Sequence, residues 1–419
     1  MASNLPLWLV HPLLIVILQV SLITAVVGFT SSQSFLRPAL LPFPFVLAAL
    51  ACQTCAAGLC DPLSSTFVIS LVLANTLIYL DRTLLSRWDF AAGGPTRSFD
   101  KDIPPGVVDP AEEKLRGSLW ARFRFGLNTA TSRRHLNTPY EIKNSPHFSS
   151  KYEDYTPSRG AFLLRAAFVI ALSYLLVDFC SLGPDVRTEE SEALFAPDRV
   201  PLFSRLGQVT IEDMINRYVI GLMVWVNAYC VVQITYNLPA MVCVALGLTE
   251  VREWRPPFGS LSSLYSVRKF WGSFWHQFFR TLFSHPTSFL AHDVLRLPKT
   301  GSIPRYTKIF LTFFISGIMH LLLDLTVKFN FEKSGALRFY CMQTLGIMAE
   351  DVVQAVWTRV SRSSKKTLPP AWKRVVGFLW LWNFMMWTVP AWMFLYAREQ
   401  QEQLFPFSVC GWLLGRGME

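Results

Sequence analysis

The chain has 419 residues, 52% of them hydrophobic and 16% charged, with a mean hydropathy of +0.32 and a formal net charge of +10. Its charges flank apolar windows of about 20 residues, the length that crosses a bilayer as a helix, so an ordinary soluble protein is excluded. The short alternating segments of a transmembrane β-barrel are missing, and basic residues that border spans argue against a nucleic-acid binder.

In chain order the hydropathy predicts eight spans, near residues 7–29, 39–60, 62–80, 160–180, 217–240, 306–328, 336–358 and 374–396. The first has no basic stretch before its apolar run, and the run is long for a signal-peptide core, so it is expected to be retained as a span. The second carries Cys52 and Cys55 in a CxxC. With no second pair or histidine nearby, these read as small residues of a membrane helix rather than a redox or metal motif. Most of the eight cysteines lie in or beside apolar runs, so no disulfide framework is expected.

Three loops are basic. Residues 81–159 include Arg82, Arg87, Arg122, Arg133 and Arg134, together with the Pro/Gly-rich stretch FAAGGPTRSFDKDIPPGVVDP, which reads as flexible and solvated. The loop after the fifth span carries Arg252, Arg255, Arg268, Lys269 and Arg280, and the loop before the last carries Arg359, Arg362, Lys365 and Lys366. The 181–216 loop is acidic instead. Eight spans put the three basic loops on the cytosolic side and both termini in the lumen. No internal repeat of the transporter kind is present.

Ionisable residues inside spans cost about 2.5–3.5 kcal/mol each on insertion scales, so each is expected to face protein or water. In YTKIFLTFFISGIMHLLLDLTVKF, Ser316, His320 and Asp324 are spaced i, i+4, i+8 and share one helix face. Asp324 could orient the imidazole or simply be solvated near the lumenal end. His320 could be a base or a hydrogen-bonding strut between helices. In ALRFYCMQTLGIMAEDVVQAVWTRV, Glu350 and Asp351 are adjacent carboxylates, and Gln343, Glu350 and Gln354 fall on one stripe. A polar cavity, pairing with an arginine, or a structural contact would each account for them.

The stretch KFWGSFWHQFFRTLF, from Lys269 to Phe283, is aromatic, with cations at its ends. Its periodicity predicts one helix, with Trp271, Trp275 and Phe279 on a broad apolar side and His276 and Arg280 as i, i+4 neighbours. Its physics alone suits an interfacial anchor. Arg252, Arg255, Arg268 and Lys269 make a basic collar around it that would attract a polyanion or anionic headgroups. The scattered histidines and carboxylates lack ligand spacing, so no metal site is expected.

The combination EWRPPFG, KFWGSFWHQFFR and FISGIMHLLLD resembles the wax-synthase-like branch of the membrane-bound O-acyltransferases. Within it, the likeness is to fungal enzymes that acetylate terpenoids and other secondary metabolites. MQTLGIMAEDVVQ and TSRRHLNTPYEIKNSP also resemble that branch. The resemblance implies an all-α, polytopic helical bundle. It divides the chain into N-terminal spans (1–80), a basic cytosolic loop (81–159) and an acyltransferase core (160–419). It also implies that His320 is the catalytic base and His276 a second catalytic residue. The acyl donor would be acyl-CoA, most simply acetyl-CoA, as co-substrate rather than bound cofactor, and the acceptor a hydrophobic alcohol.

On that reading Trp271, Trp275, Arg268, Lys269 and Arg280 would bind the donor, Asp324 or Ser316 would orient His320, and Gln343 and Glu350 would line an acceptor chamber. The expected location is a fungal endoplasmic reticulum membrane, with lipid as surroundings and no protein partner inferred. One segment departs from the family pattern. Where that pattern reads Ser-x-Arg-Gly-Ile-Gly-Trp, this chain has His135, Asn137 and Thr138 in place of the glycines and tryptophan. The competing readings are a long-chain wax or steryl ester synthase, a membrane terpene cyclase using Glu350 or Asp351 as acid, and a lipid-binding or transport protein that kept the fold.

Overall fold

The computed structural model describes residues 11–56, 62–99, 118–182, 193–326, 332–361, 371–399 and 408–413. Its longer helices are α1 (Pro12–Phe29), α2 (Pro42–Ala56), α3 (Pro62–Tyr79), α4 (Leu119–Thr131), α5 (Arg159–Ser181) and α6 (Ile211–Ala245). They continue with α7 (Arg280–Phe289), α8 (Ser302–Thr326), α9 (Ala336–Ser361), α10 (Ala371–Thr388) and α11 (Pro390–Glu399). Among the described residues, extended pairing is limited to β1 (Trp88–Asp89) against β2 (Gly94–Pro95), antiparallel. The architecture is all-α.

Among the described residues, seven helical stretches are long and apolar enough to cross a membrane: Pro12–Phe29, Leu36–Cys55, Ser64–Leu85, Arg159–Ser181, Ile211–Ala245, Ser302–Leu325 and Ala371–Leu395. These correspond to seven of the eight expected spans. The eighth, 336–358, forms helix α9, but it is not among the seven. Gln343, Glu350, Asp351 and Gln354 lower its hydropathy. If α9 did not cross, the Arg359–Arg374 loop would fall on the opposite side from the other two basic loops, against the positive-inside rule.

The chain forms two compact units. The first comprises Met1–Ile142 and Phe278–Phe331 and holds α1–α4, α7 and α8. Helix α1 runs close against α4 because Gly28 and Gly126 face the partner backbone. A Cβ at Gly126 would collide with the carbonyl of Thr24, and one at Gly28 with that of Arg122. Small residues that let backbones approach are the usual basis of packing between membrane helices. One core cluster joins Ile15, Ala51, Ile69, Val72 and Met319; another joins Ile23, Val27, Tyr79, Trp88, Tyr140 and Leu282. Buried Gln19 ties α1 to α2 and α3, donating to Pro44 O and Thr76 Oγ1, each at 3.1 Å.

The second unit comprises Lys143–Gln277 and Glu332–Glu419. Helices α5 and α6 pack along each other in it. Helix α6 starts at a capping box in which Thr210 and Asp213 satisfy each other's backbone N–H groups. Helices α9–α11 and the aromatic segment up to Gln277 belong to this unit as well.

Candidate active site

The aromatic segment is not one helix. Val267–Lys269 forms a single α-turn, Phe270–Phe274 is π-helical, and Trp275 is extended (ψ 148°) before α7 begins at Arg280. His276 and Arg280 therefore do not share one helix, and they fall in different units. The break has a local cause. The buried amide of Gln277 donates to the carbonyls of Trp271 (3.0 Å) and Trp275, satisfying acceptors that a continuing helix would otherwise use. Short π-helical stretches of this kind are common at functional sites.

Helix α9 fixes this segment from the side. Glu350, 7% exposed, accepts from the backbone N–H of Val267, from that of Arg268 at 3.2 Å and from Trp380 Nε1 at 2.9 Å. Asp351 accepts from Arg268 Nη2 at 2.5 Å. One helical turn pair earlier, fully buried Gln343 accepts from Trp271 Nε1 at 3.1 Å and donates to Phe339 O. Two members of the polar stripe read in the sequence, Gln343 and Glu350, thus face the aromatic segment, while the third, Gln354, is exposed; the adjacent carboxylates Glu350 and Asp351 grip the turn Val267–Lys269.

Two further contacts complete the frame. Asn144, from the KNSP stretch, donates to Gly272 O at 2.7 Å. Gly259, from EWRPPFG, donates its N–H to Phe274 O at 2.8 Å, and a Cβ there would collide with the Ser273 carbonyl. Trp225 of α6 meets Phe270, Trp271 and Trp275 edge-on, with centroids 4.9, 6.1 and 5.1 Å away. His276 is partly buried, its ring 5.5 Å from Trp275 and 6.1 Å from Phe258.

The basic collar is mostly engaged by protein. Arg252 pairs with Glu250 at 2.6 Å, buried Arg255 reaches His147 Nδ1 at 3.1 Å, and Arg268 pairs with Asp351; Lys269 is exposed.

In the first unit, His320 lies two-thirds along α8. Its Nδ1 is 2.8 Å from the backbone carbonyl of Ser316 one turn earlier. A carbonyl only accepts, so Nδ1 carries the hydrogen and Nε2 of the neutral ring carries the lone pair. The tautomer is thereby set by the backbone of Ser316, where the sequence pointed to side chains. Ser316 and Asp324 are both buried on the same helix, at 8% and 3% exposure, so Asp324 is not merely solvated. Arg280 is partly buried at the start of α7.

The departing motif carries two left-handed residues. His135 and Asn137 stand at the two glycine positions of the family pattern and adopt φ +47° and +60°. Asn and His are among the side chains that tolerate this left-handed region best. The His135 ring stacks on Trp88 at 4.6 Å. Burial first, then the Arg82 charge, holds its imidazole well below the usual histidine range. Burial also pushes the neighbouring Arg133 guanidinium down to about 10.

The pattern of the membrane bound O-acyl transferase family matches residues 254–342, the stretch that contains WRPPFG, the aromatic segment and His320. Acetyltransferase aurG of Calcarisporium arbuscula is 36% identical over 414 residues, covering 96% of this chain and 97% of that protein. The chain belongs to the membrane-bound O-acyltransferase family.

Acetyltransferase fsoF of Humicola fuscoatra is 31% identical over 94% of this chain and 98% of its own length. Acetyltransferase pyr8 of Aspergillus fumigatus is 36% identical over 66% of each. The protein is thus a membrane-bound acyltransferase enzyme. Within the second unit the fold brings together Gln343, Glu350, Arg268, Trp271 and Trp275. It leaves Lys269 at the surface. Sequence reasoning missed Gln277, Asn144, Trp225 and Trp380 as parts of this frame. The first two lie in quoted motifs and could have been found there; the tryptophans carry no local signal.

Proposed function

We propose that this acyltransferase moves an acetyl group from acetyl-CoA to a hydroxyl of a hydrophobic secondary metabolite, such as a terpenoid, in a fungal endoplasmic reticulum membrane. The observation that carries the chemistry is the tautomer of His320. With Nδ1–H held by the Ser316 carbonyl, Nε2 is the atom able to take a proton. The acceptor oxygen attacks the thioester carbonyl as its proton passes to Nε2. The C–O bond forms, the C–S bond breaks, and the CoA thiolate leaves with the proton returned by the imidazolium. General-base assistance of this kind is worth roughly 10²–10⁴-fold.

His276 is assigned to the donor, as a hydrogen-bond donor to the thioester carbonyl oxygen, a contribution of about 10²–10³-fold for one such donor. Its surroundings support this: the clamp on the aromatic segment fixes the backbone that carries it. The acetyl preference rests on the named acetyltransferase relatives and the branch resemblance. The cyclase reading loses ground, because the Glu350 oxygens are engaged by three donors.

The test is thermal stabilisation of detergent-purified wild type, His276→Ala and His320→Ala by acetyl-, butyryl- and palmitoyl-CoA. A ligand that binds the folded state raises Tm with concentration. Acetyl-CoA is expected to stabilise wild type and His320→Ala and to act more weakly on His276→Ala, while His320→Ala loses transfer by about 10²–10⁴-fold. A preference for palmitoyl-CoA would indicate lipid ester synthesis. No response to any CoA thioester by folded protein would overturn acyl transfer from CoA.

A further inference from the structure

A second polar cluster lies in the first unit, around the Trp88 indole on which His135 stacks, and the acyl-transfer reading uses none of it. Arg82 sits in the π-helical turn Leu80–Leu85 at the end of a candidate span and is 1% exposed. Its Nη1 donates to Asp81 Oδ2 at 2.6 Å. Asp81, fully buried, also meets His285 Nδ1 at 2.7 Å and accepts from Ser86 Oγ at 3.0 Å. The carboxylate therefore has three partners.

The guanidinium is different. Its Nε and Nη2 are buried and meet no protein acceptor among the described residues. The same holds for Trp88 Nε1 and His135 Nε2, on side chains that are each 5% exposed. These atoms belong to groups gathered around one indole. The Arg82 Cζ is 5.2 Å from the Trp88 ring centroid, and the His135 ring stacks on that indole at 4.6 Å.

The Nε/Nη2 edge is the side of a guanidinium that presents two parallel N–H groups, matched to two oxygens of one oxyanion. Asp81 takes Nη1 and leaves this fork to other chemistry. A carboxylate would answer the fork alone; a phosphate has further oxygens for the Trp88 N–H and for His135. An ionisable side chain at a span's end that carries such a donor set is a functional-site candidate on physical grounds. We propose that Arg82, Trp88 and His135 form a buried site for a phosphate group, held bidentately by Arg82. Two sources share that chemistry: a phosphate free in solution, and the headgroup of an anionic lipid reached at the end of the span.

The proposal is independent of the acyl-transfer reading and is tested without CoA. The full chain, purified in phosphate-free detergent, is titrated with inorganic phosphate against chloride at matched ionic strength, and separately with phosphatidic acid in mixed micelles. Wild type is compared with Trp88→Phe, which keeps the ring and loses the N–H, and with Arg82→Lys, which keeps a cation for Asp81 and loses the fork. The expected result is a rise of wild-type Tm with ligand concentration. The apparent affinity should weaken about tenfold in Trp88→Phe, and the response should vanish in Arg82→Lys. A response to inorganic phosphate supports the soluble source, and a response confined to phosphatidic acid supports the lipid. If Arg82→Lys fails to fold, Trp88→Phe decides alone. Equal responses in wild type and the folded variants, or no response of wild type to either probe, would overturn the site and leave the fork to water.

Discussion

Glu350 and Arg82 are both buried ionisable residues on helices, and their surroundings differ in how their polar atoms are met. Each Glu350 oxygen is met by a donor, from Val267, Arg268 and Trp380. Arg82 has one edge on Asp81 and one edge without a protein acceptor among the described residues. A buried charge whose partners are all protein is a strut, and its energy is committed to holding structure. One that keeps a directional edge has capacity for something else. The contrast separates two residues that look alike in sequence, each next to a second charged residue in an apolar run.

The sharpest way to break this contrast is at Glu350. Glu350→Ala leaves the Val267 and Arg268 N–H groups and the Trp380 indole without acceptors, and should cost on the order of 3 kcal/mol, read as a fall in Tm. Glu350→Gln retains one acceptor oxygen and should cost distinctly less while keeping transfer activity. An inactive but fully stable Glu350→Gln would mean that the carboxylate takes part in chemistry, and the strut assignment would fail.

Next is the acid sensitivity of the Arg82 side. The His135 imidazole is depressed in the folded chain by burial and by Arg82, with Asp81 opposing and His285 adding to the shift. A histidine held neutral on folding binds more protons unfolded, so its contribution is intact above the unfolded value of about 6.5 and is lost as pH falls below it. Wild type should therefore lose Tm more steeply than His135→Gln between neutral and acid pH. Parallel Tm–pH curves would show that burial at Trp88 is not what disfavours the charge.

The smallest expected effect is at Asp351. Its partner Arg268 is 36% exposed, so the ion pair is screened. Asp351→Asn should cost at most about 1 kcal/mol, well short of Glu350→Ala, although the two residues are neighbours. A larger loss would show that the pair, and not the Glu350 acceptors, holds the aromatic segment.

The departing motif shows where reading by pattern reaches its limit. Losing two glycines suggests a lost turn, yet His135 and Asn137 hold the left-handed backbone that glycine would provide. What changes is the side chain: an imidazole now lies on Trp88, where the family pattern has no side chain. Substitution tables do not carry φ, so the sequence could register the departure and not its consequence.

Composition and hydropathy were enough to establish a polytopic helical membrane protein, because the cost of burying charge in a bilayer is paid residue by residue along the chain. The histidine of α8 and its spacing to Ser316 and Asp324 were equally legible, since helix periodicity is local. The break at Trp275, the grip of Glu350 on Val267 across 83 positions, and the grouping of Arg82 with His135 around Trp88 were decided by tertiary structure. Each depends on a hydrogen bond or ring contact between distant segments, and no periodicity records which donor a buried carboxylate will meet.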